Sequence, residues 1–190
     1  MIRREFLGTG LAAIAAPALA QTANRPLRFV PASDLAVLDP IVTTTYITRN
    51  QAYMIFDQLY GQDEAFRTQP QMAEGHVLED GGRRVTIRLR PGLVFHDGEP
   101  VRARDAVVSI RRWAMRDQLG LTIMALTDEL SAPNDRDIVF RLKRPFPLLF
   151  DALGKTSPPV AFIMPERIAM QVPYRLHRHH ALQPPPAAVQ

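Results

Sequence analysis

The chain of 190 residues contains no cysteine. Disulfides, thiol chemistry, cysteine-ligated metals and a lipid-carrying N-terminal cysteine are therefore excluded. Lysine is scarce, two residues against 21 arginines, a bias that points to a GC-rich genome rather than to any chemistry. No apolar run approaches the ~20 residues of a bilayer-spanning helix. Acid is scarce at the ends: residues 1–20 hold Arg3, Arg4 and Glu5, and the last twenty hold Arg175 and Arg178 with no acidic side chain. Most of the formal net charge of +4 resides there, because the rest of the chain has 19 basic and 18 acidic residues. A body so nearly neutral offers no electrostatic footprint for nucleic acid, and no nucleic-acid partner is expected.

Hydrophobic residues make up 46% of the chain, enough for a packed core. The N-terminus reads MIRREFLGTGLAAIAAPALAQ: two arginines, a short apolar run, then Ala18 and Ala20 as the small residues a signal peptidase needs. Residues 1–20 are expected to be an export signal cleaved before Gln21. Arg3 and Arg4 followed by Glu5, Phe6 and Leu7 resemble the twin-arginine motif, read by dedicated export machinery. A general secretion signal would need the same arginines only for their charge. Either route leads to a soluble periplasmic chain without a lipid anchor.

Further along, Arg28, Phe29 and Val30 with Leu27 read as a short strand. From Arg49 onward Ala52, Ile55, Phe56, Leu59 and Tyr60 recur at helical spacing and predict one amphipathic helix. Val85, Ile87 and Leu89 alternate with polar residues behind the turn Asp80, Gly81, Gly82, so residues 75–78 are the expected hairpin partner. Ile138, Phe140 and Leu142 repeat the pattern behind Pro133, Asn134 and Asp135. Helices combined with antiparallel hairpins give an α+β fold class.

The stretch VFHDGEPVRARDAV places His96 beside Asp97. Successive side chains of an extended segment point to opposite faces, so the two are not a catalytic dyad. Asp97 and Gly98 make a tight turn, and His96 is expected to be a packed or edge histidine. The helix that follows is predicted to bury Ala103, Ala106, Val107, Ile110, Trp113 and Ala114 and to turn Arg104, Arg111 and Arg112 toward water. Trp113 is thereby a core residue rather than a ligand-stacking one.

Taken in order, LDP (Leu38, Asp39, Pro40), FDQLYG, PQMAEG, IRLRPGLVFHDGEPVRARDAV and FIMPERIA resemble the N-terminal part of the family 5 solute-binding proteins, the peptide, oligopeptide and nickel receptors of ABC importers. The match spans roughly residues 27–169 and includes Phe95, His96, Asp97, Gly98 and Asp105 as signature positions. The family's usual form has threonine where Arg102 stands and glutamate where Arg104 stands. Arginine cannot accept the capping hydrogen bond threonine would, a loss of about 1 kcal/mol of helix stability.

The resemblance implies a bilobal α/β periplasmic receptor, here incomplete. Residues 21–46 would begin the first lobe, 47–157 would form the small lobe, and 158–169 would return. It implies a peptide or other small-molecule ligand, an ABC permease in the inner membrane as partner, no cofactor, no metal and no catalysis. Ser33, Asp34, Thr45 and Tyr46 correspond to stretches near the cleft: Asp34 suits a ligand ammonium group and Tyr46 an aromatic wall. Asp39 is expected to cap a turn with Pro40.

Residues 170–190 depart from the family and read as a disordered or out-of-frame tail of a truncated chain. Their His177, His179 and His180 lack carboxylate or thiol companions, so no metal site is expected. In an incomplete first lobe, residues 160–164 are expected to leave apolar surface uncovered. An exported enzyme is the alternative of another class, although the five histidines give no convergent acid–base pair. A stand-alone single-lobe binding module is the third reading.

Overall fold

The structure is a computed structural model that describes residues 28–171. The expected export residues Arg3, Arg4, Ala18 and Ala20, and tail residues 172–190 with His177, His179 and His180, lie outside them. Two units divide at Pro31. Of the first, residues 28–31 are described and carry no regular structure, so no strand forms at Arg28, Phe29 and Val30. A strand exists by its ladder, and these residues have none.

The second unit runs in the order α1 (Tyr46–Ala52), β1 (Asp57–Gln58), β2 (Tyr60–Gln62), β3 (Thr68–Pro70), β4 (Ala73–Glu79), β5 (Arg84–Leu89), α2 (Ala103–Ala114), α3 (Gln118–Leu126), β6 (Thr127–Ser131), β7 (Asp137–Leu142), α4 (Leu149–Gly154), β8 (Phe162–Ile163) and α5 (Glu166–Ala169). Helices and antiparallel strands combine here as the α+β class requires. The two predicted hairpins are β4 with β5 and β6 with β7. They merge into one four-stranded sheet ordered β4-β5-β7-β6. Register explains the merger: Val85 stands opposite Phe140 and Ile87 opposite Ile138, so the apolar rows of both hairpins share a face.

That face, with Leu89, Leu130 and Leu142, packs with the apolar stripe of α2 into one core. Ala103, Ala106, Val107, Ile110, Trp113 and Ala114 are all buried, as the spacing predicts. Burying a tryptophan in this way is worth several kilocalories: truncating a buried Phe or Trp to Ala costs about 3–5 kcal/mol. Helix α3 crosses close by, and a Cβ on Gly120 would fall 2.5 Å from the Ala114 Cα. Asp117 caps α3 by accepting from the backbone N–H of Leu119 and Gly120 at 2.9 and 3.1 Å, and its other oxygen pairs with Lys155 Nζ at 2.6 Å.

The start of α2 departs from ideal capping as the sequence foretold. Arg102 occupies the N-cap in extended conformation and its side chain makes no capping bond. The reciprocal bond is present, with Arg102 N–H donating to Asp105 Oδ2 at 2.8 Å, and Ala103 N–H reaches Asp135 O at 2.8 Å. Just before it, Gly98 takes φ 85°, Gly98 N–H donates to Phe95 O, and Val94 bridges Pro100, which completes the predicted turn.

Three further expectations fail. The helix begun near Arg49 ends at Ala52, and Leu59 and Tyr60 are buried beside or within strands instead. Distant partners override the local period: β1 pairs with β8, and the buried Gln58 Nε2 donates to Leu153 O and Lys155 O. Residues 160–164 are not uncovered, since all five are buried, with α2 and β1 against them. Arg112 does not face water: its side chain is 11% exposed and paired with Asp39.

Candidate functional site

The four candidate ligand residues sit on one loop that runs from residue 33 into α1. Ser33 and Asp34 are exposed. Thr45 is the N-cap of α1, yet its hydroxyl donates to Thr48 Oγ1 at 3.2 Å rather than capping a backbone N–H. Tyr46 opens α1 with 69% of its surface exposed, and the Arg49 guanidinium lies 4.7 Å from its ring centre. That cation–π contact holds the ring while leaving its hydroxyl to solvent. No hydrogen bond or ion pair among the described residues joins Ser33 or Asp34 to Thr45 or Tyr46. The structure keeps the two pairs on one segment with no hydrogen bond or ion pair between them.

What holds the loop is its middle. Asp39 Oδ1 accepts from Ile41 N–H at 3.0 Å, the turn expected with Pro40. Arg112 then grips both carboxylate oxygens, Nη1 to Oδ1 at 3.0 Å and Nη2 to Oδ2 in close contact. Pro40 and Ile41 are buried, whereas Leu38 is 68% exposed. On either side Thr48 Oγ1 donates to Val37 O at 2.9 Å and Arg116 Nη2 to Val42 O at 3.0 Å.

The other signature residues act as fasteners. His96, exposed, meets Ile55 O through Nε2 at 3.1 Å, while Asp97 pairs with Arg167. The neighbours serve different segments, which argues against a dyad, and His96 is an edge residue rather than a packed one. Phe95 is half-buried beside the Gly98 turn. Asp105 Oδ1 accepts from Glu166 N–H at 2.8 Å. Trp113, fully buried, donates from Nε1 to Pro159 O at 3.0 Å and is a core residue.

Two features escaped the sequence reading. An apolar groove of about 620 Å³ opens between residues 53–56, residues 93–97 and the start of α5, walled by Met54, Ile55, Val94, Phe95, Ile163 and Ile168. Its walls come from several separated segments, Gln71 and Met72 among them, so no local pattern announces it. The second is a cluster in which Tyr60 Oη and His76 Nδ1 lie 3.0 Å apart and the His76 ring stacks on Phe150 with centroids 3.8 Å apart. Burial raises the Tyr60 hydroxyl pKa; His76 is an exposed residue, and partial desolvation of its ring lowers its pKa. Across the sheet, Asp137 is held down to about 2, chiefly by its hydrogen bonds from Arg88 at 2.7 and 2.9 Å and then by Asn134.

The family model described as bacterial extracellular solute-binding proteins, family 5 Middle, matches residues 67–178. A probable peptide ABC transporter periplasmic-binding protein of Sinorhizobium fredii is 38% identical over 175 residues, covering 88% of this chain and 32% of the relative. OppA of Haemophilus influenzae in complex with the peptide RPPGFSPFR superposes with a TM-score of 0.57 at 20% identity, over 70% of this chain and 29% of that one. MoaA of A. tumefaciens R10 in complex with mannopinic acid gives a TM-score of 0.61 at 23% identity, over 71% and 28%. These structures share the fold. The chain spans about a third of the length of the curated relative.

The His76 cluster generates a pH prediction. Its folded pKa lies below the unfolded value of about 6.5, so the unfolded chain binds more protons between the two. Stability is complete above about pH 6.5 and falls as pH drops through the depressed folded value. Urea midpoints from pH 8 to pH 5 are expected to decline less steeply in His76→Gln than in the parent, despite a lower starting stability. Identical slopes would show that His76 is not the source.

Proposed function

Because the chain belongs to the family 5 bacterial extracellular solute-binding proteins, we propose that it serves as the periplasmic substrate-binding component of an ABC importer for peptides or similar small solutes. The family match over residues 67–178 carries this reading. The work is capture and presentation to an inner-membrane permease, with no bond of the ligand made or broken. Residues 21–46 begin one lobe, 47–157 form the smaller lobe and 158–169 lead back. Asp34 meets a ligand ammonium group, Ser33 and Thr45 supply hydroxyls, and Tyr46 forms an aromatic wall. A closed site covers roughly 70–90% of a small ligand, and this loop supplies one wall of it.

Export belongs to the same proposal, and Arg3 with Arg4 supports the twin-arginine route. Lysine at both positions keeps the charge without the planar guanidinium. Periplasmic product is expected to vanish in the Arg3→Lys, Arg4→Lys chain, and undiminished product would contradict this route.

Binding is tested by calorimetry against a peptide panel. A chimera in which residues 21–169 replace the matching part of the Sinorhizobium relative is expected to bind peptide. Asp34→Ala with Tyr46→Ala should weaken it by roughly tenfold, about 1.4 kcal/mol. A chimera that folds but binds nothing its parent binds would overturn the assignment. Peptide cleavage by the chain would favour an exported enzyme.

A further inference from the structure

Helix α2 is the element along which the chain passes twice. Asp105, Ser109 and Arg112 recur at i, i+4 and i+7, a polar stripe beside the apolar one, and Arg116 extends it just past the helix end. The returning segment is tied to the stripe's first half. Asp105 accepts from Glu166 N–H, while Ser109 Oγ both donates to Met164 O at 3.2 Å and accepts from Met164 N–H at 3.0 Å. The entering segment is tied to its second half, through Arg112 on Asp39 and Arg116 on Val42 O.

Arg112 is where the two meet. The Nη1 that donates to Asp39 at 3.0 Å also stands 3.4 Å from Met164 Sδ. Its side chain is largely buried, so its charge must be matched in place rather than by water. The planar fork engages both Asp39 oxygens and the sulfur at once, a geometry a lysine ammonium does not reproduce.

We propose that Arg112 is a positioning residue that couples the two passages: it sets the Asp39 turn, and with it the loop bearing Asp34, Thr45 and Tyr46, according to where the returning segment holds Met164. The purpose of the coupling rests on the receptor reading, in which a closing cleft moves both connecting segments together. The coupling itself needs no ligand to be measured. Its requirement is a non-additive response between the two segments, since spatial adjacency alone demonstrates none.

Amide hydrogen exchange on the 190-residue chain reads it, comparing the parent with Ser109→Ala, Arg112→Lys and the double variant. Ser109→Ala loosens the returning segment and is expected to speed exchange at Ile41 and Val42 roughly tenfold while Arg112 is present. In the Arg112→Lys background the same change should produce no further increase at those amides. Equal increases in both backgrounds, or none in either, would overturn the proposal. If Ser109→Ala also releases the amides of β5 and β7, Met164→Leu takes its place with the same two readings, because it removes the sulfur and keeps the volume. Coupling without peptide binding by the chimera would refute the receptor reading alone, and binding without coupling would refute this inference alone.

Discussion

Helix α2 has twelve residues and two jobs, and the described structure depends on the fact that one helix surface accommodates both. Its apolar stripe closes the core over β6 and β7 with Trp113 at the centre. Its polar stripe, immediately beside, captures two remote segments, the returning one through its backbone and the entering one through the Asp39 carboxylate, with Arg116 just past the helix reaching Val42 O. Trp113 belongs to both, since its rings are buried while Nε1 donates to Pro159 O. An indole buried without that partner would carry an unsatisfied donor, a penalty of about 1–3 kcal/mol. The helix thus cannot settle on the sheet without also fixing the chain near Pro159.

This arrangement explains why flawed local chemistry is tolerated at the helix start. Arg102 forfeits a capping bond worth about 1 kcal/mol. Arg104 places positive charge in the first turn, against the helix dipole, and Glu166 lies 3.6 Å away to offset it. These losses are small beside the burial of eight α2 residues and the tertiary bonds to residues 159–166. Helical stability here comes from packing rather than from intrinsic propensity.

The sequence was informative where the determining contacts are local. The alternation in β5 and β7, the turn at Asp97 and Gly98, and the six apolar buried positions of α2 follow from periods of two and 3.6, whereas the burial of Asp105 and Ser109 does not. The merger of two hairpins into one sheet did not, because it depends on Val85 meeting Phe140 across a long separation. The overlong first helix fails for the same reason, since β8 pairs with Asp57 and Gln58 and β3 with Tyr60, which draws the chain out of the helical period after Ala52. Arg112 was assigned to solvent because charge normally lies there. Its spacing from Asp105 and Ser109 was the available signal. His76 gave none, as its partners Tyr60 and Phe150 come from β2 and α4. The candidate ligand residues rest on family resemblance, and the geometry adds how their loop is anchored.

The central claim is that α2, the sheet and residues 159–166 form one cooperative body. Trp113 is the chain's sole tryptophan and reports directly on the contact with Pro159. Urea unfolding followed by Trp113 fluorescence and by far-ultraviolet circular dichroism should give superimposable transitions with one midpoint. A fluorescence transition that precedes loss of the sheet signal would contradict the account, because the returning segment would then leave α2 while the rest stayed folded.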